Sequence, residues 1–129
     1  MRLGVDLIAV DALDRLLGRR RLERFVFAAA ELRLADALGP ARRTEFLAGR
    51  FVAKEAVLKV LGRGLFQGVR PSDIAVTRAP TGAPEVELRG SARAVARDCG
   101  IDQVSVSITH KHNLAIAVAL AAAAGGPLP

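Results

Sequence analysis

The sequence predicts a single α+β domain over residues 1–129, in which an antiparallel sheet packs around a long central helix. The chain has 129 residues and half of them are apolar, which is enough to bury one core. Short apolar or alternating segments near both ends have the length and residue types of strands. A stretch over residues 44–61 instead carries apolar residues at helical spacing. No repeat, low-complexity segment or linker divides the chain, so one domain is expected.

The first part of the chain predicts a strand followed by short helices. Residues 3–10 (LGVDLIAV) form a nearly continuous apolar run that contains one acid, Asp6, as is typical of a buried strand. Asp11 is a suitable N-cap for a helix over residues 12–17. Residues 25–38 indicate one or two short helices, which end at Gly39-Pro40.

The central helix is predicted from its cap, its apolar stripe and its stop signal. Thr44 can cap the helix, and Gly62 can end it just after Leu61. The apolar residues at helical spacing are Phe46, Leu47, Phe51, Val57, Leu58 and Leu61. A stripe of this width predicts that one face of the helix is buried.

The second half of the chain predicts a hairpin, a helix and two strands. Residues 74–78 and 85–88 flank the turn residues 81–84 (TGAP), so these two segments are expected to pair as a hairpin. The elements expected after the hairpin are a helix over residues 90–99, a half-buried strand over 104–109 and a buried strand over 114–120.

The composition restricts the classes of partner. The net charge is +6, with 19 Lys and Arg against 13 Asp and Glu, and such a surface attracts nucleic acid, phosphorylated cofactors or an acidic protein. The chain contains five Phe and no Tyr or Trp, which argues against binding of single-stranded nucleic acid by base stacking. A single cysteine, Cys99, excludes an internal disulfide.

A cytoplasmic location without membrane association is expected. The apolar run at the N-terminus is interrupted by Asp6 and is too short for a signal peptide. The apolar run over residues 114–124 has eleven residues, short of the roughly 17 to 25 residues that cross a bilayer.

Two acids and a lysine are candidates for a polar site. Asp6 lies inside an apolar strand, where it is either a capping or ion-paired acid or a metal ligand. Glu55 and Lys59 lie on one ridge of the central helix with Phe51, so they form either an exposed helical pair or part of a site that holds magnesium and a phosphate.

Three further groups of residues have both a structural and a functional interpretation. Gly62 and Gly64 permit close approach to a phosphate but are equally suited to ending a helix. Ser107, Thr109 and His110 lie at a strand end, and no acid at a recognisable spacing completes a catalytic triad. The basic cluster of the first helical region is either solvated surface or a docking face for an acidic partner; its members are Arg15, Arg19, Arg20, Arg21 and Arg24.

In combination, these motifs resemble the holo-acyl-carrier-protein synthase family of 4′-phosphopantetheinyl transferases. The resemblance covers nearly the whole chain. Three motifs carry it: G-x-D at residues 4–6, R-F-x-A-K-E-A-x-x-K-x-x-G-x-G at residues 50–64, and S-x-x-H at residues 107–110. The G-x-P turn at residues 82–84 matches in order and spacing.

The resemblance implies a magnesium-dependent transfer of 4′-phosphopantetheine from coenzyme A to a serine of an acyl carrier protein. Asp6 and Glu55 would be the metal ligands, and Lys59 would contact the transferred phosphate. Either Asp6 or a metal-bound water would be the general base. The residues expected to bind coenzyme A, besides Lys59, are Arg42, Arg50, Gly62, Gly64, Pro84, Ser107, Thr109 and His110.

The resemblance also implies a homotrimer whose active sites lie between subunits, and an acidic carrier protein docked on Arg15, Arg21 and Arg24. The chain departs from the family pattern at Arg63, where the family usually has threonine between the two glycines. Two other functions remain open at this point: a non-catalytic basic module that binds an acidic protein or nucleic acid, and an acyltransferase that uses coenzyme A.

Overall fold

The computed structural model describes residues 1–18 and 20–123. The first strand and the last two strands come from opposite ends of the chain and lie in one sheet. In chain order the elements are β1 (Arg2–Ala9), α1 (Val10–Leu17), α2 (Arg20–Val26), α3 (Ala29–Asp36), α4 (Pro40–Val60), a 3₁₀ turn (Pro71–Asp73), β2 (Ile74–Arg78), β3 (Pro84–Leu88), α5 (Gly90–Asp98), β4 (Ile101–Lys111) and β5 (Leu114–Ala123).

The sheet that supports α4 is antiparallel, with the strand order β1-β5-β4. Alternate residues of β5 face α4, and these are all small: Ala115, Ala117, Ala119 and Ala121, each nearly fully buried. Small side chains let the helix lie close to the strands, and α4 packs across β1, β5 and β4. The predicted fold class is therefore confirmed. The predicted hairpin also forms, but β2 and β3 make a separate two-stranded sheet.

The long helix begins one turn earlier than the sequence predicts. Thr44 does not cap α4; it lies inside the helix, and its hydroxyl donates to the carbonyl of Pro40 at 3.2 Å. Gly39 is the N-cap and Pro40 occupies the first helical position, where the fixed φ of proline is already helical and its missing N–H is not needed. The helix ends as expected, since Gly62 follows with φ +72°.

The prediction that Asp11 caps the first helix is wrong. Helix α1 starts at Val10 and includes Asp11 in its first turn. The acceptors for its first amide groups come from the β4–β5 turn, because Val10 N donates to Asn113 O at 2.8 Å and Asp11 N donates to Asn113 Oδ1 at 3.2 Å. Asn113 adopts φ +64°, a conformation that asparagine tolerates better than most residues. The turn between the last two strands therefore fixes where α1 begins.

The last two strands are longer than predicted, and β5 is buried on one face only. Its alanines face α4, whereas Leu114 and Val118 are exposed on the other face. This outer face of the sheet also displays Leu3, Val5 and Leu7 of β1, each more than half exposed. Residue 124 of the apolar run and Arg19 of the basic cluster lie outside the described residues. Within the described part of the chain, no helix has the length and apolar character needed to cross a membrane.

A buried ion pair connects α3, α4 and β2. Lys54 Nζ lies 2.6 Å from Glu31 Oε1, and the two side chains are 1% and 0% exposed. Lys54 also donates to the carbonyls of Pro71 and Ile74. Glu31 accepts from the backbone amides of Ala28 and Val76 at 2.7 and 3.0 Å. Burial lowers the pKa of Lys54, and the neighbouring Glu31 carboxylate opposes that shift.

Candidate active site

The glycine of the G-x-D motif brings β1 into contact with the central helix. A Cβ added at Gly4 would lie 2.1 Å from Ala56 O and 3.2 Å from Lys59 Cβ. The first distance is far shorter than any real contact of a methyl group, so only glycine fits between β1 and α4 here. This close approach places Asp6, two residues further along the same face of β1, next to α4.

Asp6, Glu55 and Lys59 form one polar cluster at this junction. Lys59 Nζ donates to Val5 O at 2.7 Å and lies 3.5 Å from Asp6 Oδ1. Glu55 is half-buried, and its Oε1 has no hydrogen-bond partner among the described residues. The lysine is therefore directed at β1 and pairs with Asp6. The helical Glu55–Lys59 ion pair that the spacing allowed does not form among the described residues.

The electrostatics of the cluster favour an additional cation. Burial raises the pKa of Glu55, the Asp6 carboxylate raises it further, and Lys59 opposes both effects. Two carboxylates face one ammonium group, and one buried carboxylate oxygen has no donor. Oxygen ligands of this kind suit Mg²⁺, which usually takes one or two carboxylates and completes its octahedral shell with water and phosphate. Among the described residues, no group of three His, Cys, Asp or Glu converges as a complete metal cage.

His110 belongs to a second polar group, with an acid that the sequence did not identify. Its Nδ1 lies 2.8 Å from Glu45 Oε2, across the contact between β4 and α4. Glu45 is 65 residues away in sequence, and only the packing of the helix on the strand shows that they pair. Ser107 and Thr109 are exposed and lie on the opposite face of β4 from His110, because side chains alternate along a strand. Within one chain, the side chains of Ser107 and His110 therefore lie on opposite faces of β4.

Arg50, predicted to bind coenzyme A, is buried and engaged within the chain. Its guanidinium donates to Val76 O at 3.2 Å and to Thr77 O at 3.3 Å, and it lies 4.1 Å from the ring centroid of Phe46. Burial, and secondly the charge of Arg78, lowers the pKa of Arg50 to about 10. The group stays charged at neutral pH and holds β2 against α4. Arg42 lies exposed in the first turns of α4.

The glycine loop after α4 is closed by its own residues. Gly64 N donates to Gln67 Oε1 at 2.6 Å, and Arg63 Nη1 donates to Gln67 O at 3.3 Å. Gly62, Arg63 and Gly64 are all exposed. The loop begins three residues after Lys59, so a phosphate held by Lys59 would lie beside it.

Two cavities adjoin the remaining predicted residues. One of about 430 Å³ is lined by His110, Glu45 and residues of α1 and the β4–β5 turn. Another of about 570 Å³ lies between β3 and β4 and is lined by Pro84. Neither cavity is lined by Asp6 or Glu55. The structure thus brings Asp6, Glu55 and Lys59 together, whereas Pro84 and His110 line separate cavities of a single chain.

The basic residues of the first helices are available to a partner. Arg15, Arg21 and Arg24 are exposed and form no ion pair with any described residue. The acid of α2, Glu23, is instead bound by Arg43 of α4, with distances of 2.9 and 3.0 Å. The exposed charge of α2 is therefore positive.

Known proteins with the same motifs and fold identify the family. The sequence-family model that describes the 4′-phosphopantetheinyl transferase superfamily matches residues 2–119 of this chain. The chain is 42% identical over 108 residues to the holo-[acyl-carrier-protein] synthase of Moorella thermoacetica, covering 83% of this chain and 82% of that protein. It is 38% identical over 110 residues to the holo-[acyl-carrier-protein] synthase of Nitratidesulfovibrio vulgaris, covering 84% and 86%.

The fold matches as well. The crystal structure of a holo-(acyl-carrier-protein) synthase from Bacillus anthracis in complex with CoA (3′,5′-ADP) superposes with a TM-score of 0.77 at 28% identity, covering 93% of this chain and 94% of that one. The motif at residues 50–64, the sequence similarity over more than four fifths of the chain and the shared fold agree. The chain therefore belongs to the holo-acyl-carrier-protein synthase family of the 4′-phosphopantetheinyl transferase superfamily.

Proposed function

We propose that this protein transfers 4′-phosphopantetheine from coenzyme A to a serine of an apo-acyl carrier protein, with Mg²⁺ as cofactor. The observation that carries the proposal is the cluster of Asp6, Glu55 and Lys59, in which Glu55 Oε1 is buried without a donor among the described residues. Its relatives are holo-[acyl-carrier-protein] synthases, and one of them was solved in complex with CoA.

The residues of the cluster would divide the chemistry as follows. Asp6 and Glu55 would hold Mg²⁺, which neutralises charge on pyrophosphate oxygens when it is bound. Lys59 is about half exposed and would donate to an oxygen of the transferred phosphate. The serine oxygen of the carrier forms a bond to the β-phosphorus of coenzyme A, and the bond from that phosphorus to the bridging oxygen breaks. The serine proton passes to Asp6 or to water, and adenosine 3′,5′-bisphosphate leaves.

Positioning and charge neutralisation therefore supply most of the expected catalysis. Gly62 and Gly64 would let the pyrophosphate approach the backbone beside Lys59. Arg50 acts through the placement of β2 against α4, since its guanidinium already donates to two carbonyls. The other residues proposed to contact coenzyme A are Arg42, Pro84, Ser107, Thr109 and His110.

These coenzyme A residues lie on different faces of the chain, which supports a homotrimer with sites between subunits. Ser107 is opposite Val118, and Val118 is opposite Val5, in one row across the outer face of the sheet. The apolar residues of this face are exposed in the single chain, as is typical of a subunit interface. Sedimentation of the purified protein tests the assembly; a monomer at micromolar concentration would contradict it.

An acidic carrier protein is the proposed macromolecular partner. Arg15, Arg21 and Arg24 present an exposed positive surface on α1 and α2, and complementary charge accelerates and orients docking. A cytoplasmic location and a carrier from fatty acid biosynthesis remain predictions.

Intact-mass spectrometry tests the proposed reaction. Purified protein, Mg²⁺, coenzyme A and a fatty-acid apo carrier should give a carrier heavier by one phosphopantetheine, together with free adenosine 3′,5′-bisphosphate. Addition of a chelator should stop the reaction, and Asp6→Asn should remove activity in a folded protein. No mass gain with several apo carriers, while a known transferase modifies them, would refute the proposal. A product without release of adenosine 3′,5′-bisphosphate would indicate acyl transfer instead.

A further inference from the structure

Two exposed phenylalanine rings stack against each other near the basic helices. The centroids of Phe25 and Phe66 are 5.7 Å apart, with an angle of 24° between the ring planes. Phe25 is 41% exposed and Phe66 is 69% exposed. They are two of five Phe in a chain without Tyr or Trp. Exposed aromatic residues are enriched at sites of protein interaction.

The backbone of Phe66 is unfavourable for such a residue. It has φ +64°, in the left-handed region where glycine is favoured and a bulky side chain is strained. Glycine at residue 66 would relieve this strain, and the loop already contains glycine at residues 62, 64 and 68. The strained position and the exposed ring both count against a role in stability, which points to a role in binding.

Exposed arginines lie on the helix and on the loop that carry the two rings. Arg21 and Leu22 precede Phe25 by four and three residues on α2, so both are neighbours of the ring on the helix surface. Leu22 is exposed, as are Arg21 and Arg24. The acid of α2, Glu23, is held by Arg43 away from any partner. Arg63, on the same loop as Phe66, is exposed as well.

We infer that the Phe25–Phe66 stack is a specificity-determining contact for an acidic protein partner, which places an apolar side chain on the rings and carboxylates on the arginines. Under the proposed function, on which this inference rests, that partner is the carrier protein. Phe66 lies on the loop that follows Lys59 by seven residues, so the contact holds the partner beside the proposed phosphate site.

Substitution of Phe66 by glycine separates binding from folding. Phe66→Gly removes the ring and fits the positive φ, so the thermal midpoint should stay unchanged or rise. The KM for the apo carrier should rise about fivefold or more, as expected when a contact of a kilocalorie per mole or more is lost. The KM for coenzyme A and kcat at saturating carrier should stay within about twofold. Phe66→Tyr keeps the ring and is the matched control, with a carrier KM close to that of the wild type.

Each alternative has its own result. A wild-type chain that modifies no carrier overturns the proposed function and this inference with it. An active wild type with the same carrier KM in Phe66→Gly, and in Phe25→Leu as a second variant, overturns the inference alone. If Phe66→Gly sediments as a smaller species and loses affinity for both substrates, the rings face a second copy of the chain and the inference is wrong. The inference is supported if the carrier KM rises in both variants while their sedimentation is unchanged. The increase should persist at high salt, since apolar contacts are not screened.

Discussion

Replacement of Lys54 by methionine is expected to destabilise the protein strongly while leaving the proposed catalytic residues in place. Methionine has a similar length and is apolar, so the change removes the ammonium group with little change in volume. In the folded protein that group contacts Glu31 Oε1, Pro71 O and Ile74 O. The variant thus removes the ammonium donor from one buried carboxylate and two buried carbonyls.

The expected loss of unfolding free energy is about 3–5 kcal/mol, the usual effect of leaving one partner of a buried ion pair uncompensated. The pair is 1% and 0% exposed, so solvent screening does not reduce this value. Glu31 still accepts from the backbone amides of Ala28 and Val76, and these two hydrogen bonds limit the loss of unfolding free energy. Typical domains have about 5–15 kcal/mol in total, so Lys54→Met is expected to lose a large fraction of the stability.

Urea denaturation at neutral pH measures this effect. If the dependence on urea is about 2 kcal/mol per molar, the midpoint should fall by about 2 M. The double variant Lys54→Met, Glu31→Gln buries no charge and should be more stable than the sum of the single changes predicts, by about 1–3 kcal/mol. Asp36→Asn removes an exposed ion pair with Arg43 and should cost less than about 1 kcal/mol. An additive double-mutant cycle, or a Lys54→Met effect as small as that of Asp36→Asn, would refute the reasoning.

Three further changes test the site. Glu55→Gln should abolish transfer yet raise the free energy of unfolding of the metal-free protein at neutral pH by roughly 1 kcal/mol. Because the pKa of Glu55 is raised, this gain should shrink as the pH falls and the wild-type carboxyl becomes neutral. Thermal unfolding at several pH values measures the gain, and a gain independent of pH would contradict the prediction. Gly4→Ala should lower the free energy of unfolding by about 1–3 kcal/mol and reduce activity about tenfold or more, since the added Cβ would clash with Ala56 O. Full activity in the intact-mass assay would contradict this and show that β1 can shift freely. Glu45→Gln should raise the KM for coenzyme A several-fold but not that for 3′-dephospho-coenzyme A, because Glu45 Oε2 contacts His110 Nδ1 and orients the imidazole that is proposed to contact the 3′-phosphate. Equal effects on both substrates would assign Glu45 a structural role.

Local signals predicted the secondary structure well. The strand over residues 74–78 has the predicted bounds, and the helix at Gly90 ends within one residue of its prediction. The predicted helices over residues 25–38 begin too late, since α2 starts at Arg20, and the last two strands are longer than predicted. Two other errors occur where a distant residue or proline chemistry replaces a local cap. Asp11 was a reasonable N-cap, but Asn113, 102 residues away, provides the acceptor. Thr44 was an equally good cap, but Pro40 starts the helix first.

The buried ion pair was only partly accessible from the sequence. Lys54 lies between Leu47 and Leu58 on the apolar stripe of the central helix, and a charged residue in such a stripe indicates a buried partner. The partner could not be chosen, because Glu31 lies on a different short helix and nothing in its local sequence distinguishes it from other acids. The same limit applies to Glu45 and His110, which pair through helix-on-strand packing.

The side-chain alternation of the sheet bears on where a complete site can form. On β1, Gly4 and Asp6 face α4, whereas Val5 faces outward with Val118 and Ser107. Since a strand is a single layer, Asp6 and Ser107 of one chain lie on opposite sides of the same sheet. A single coenzyme A molecule would contact both types of residue directly if Ser107 came from a neighbouring subunit whose outer face borders this site. The outer face is apolar and exposed in one chain, so the surface that would bury itself in a trimer is also the surface that carries Ser107. Assembly and completion of the coenzyme A site would then depend on the same residues, and a change such as Val118→Asp should weaken both together.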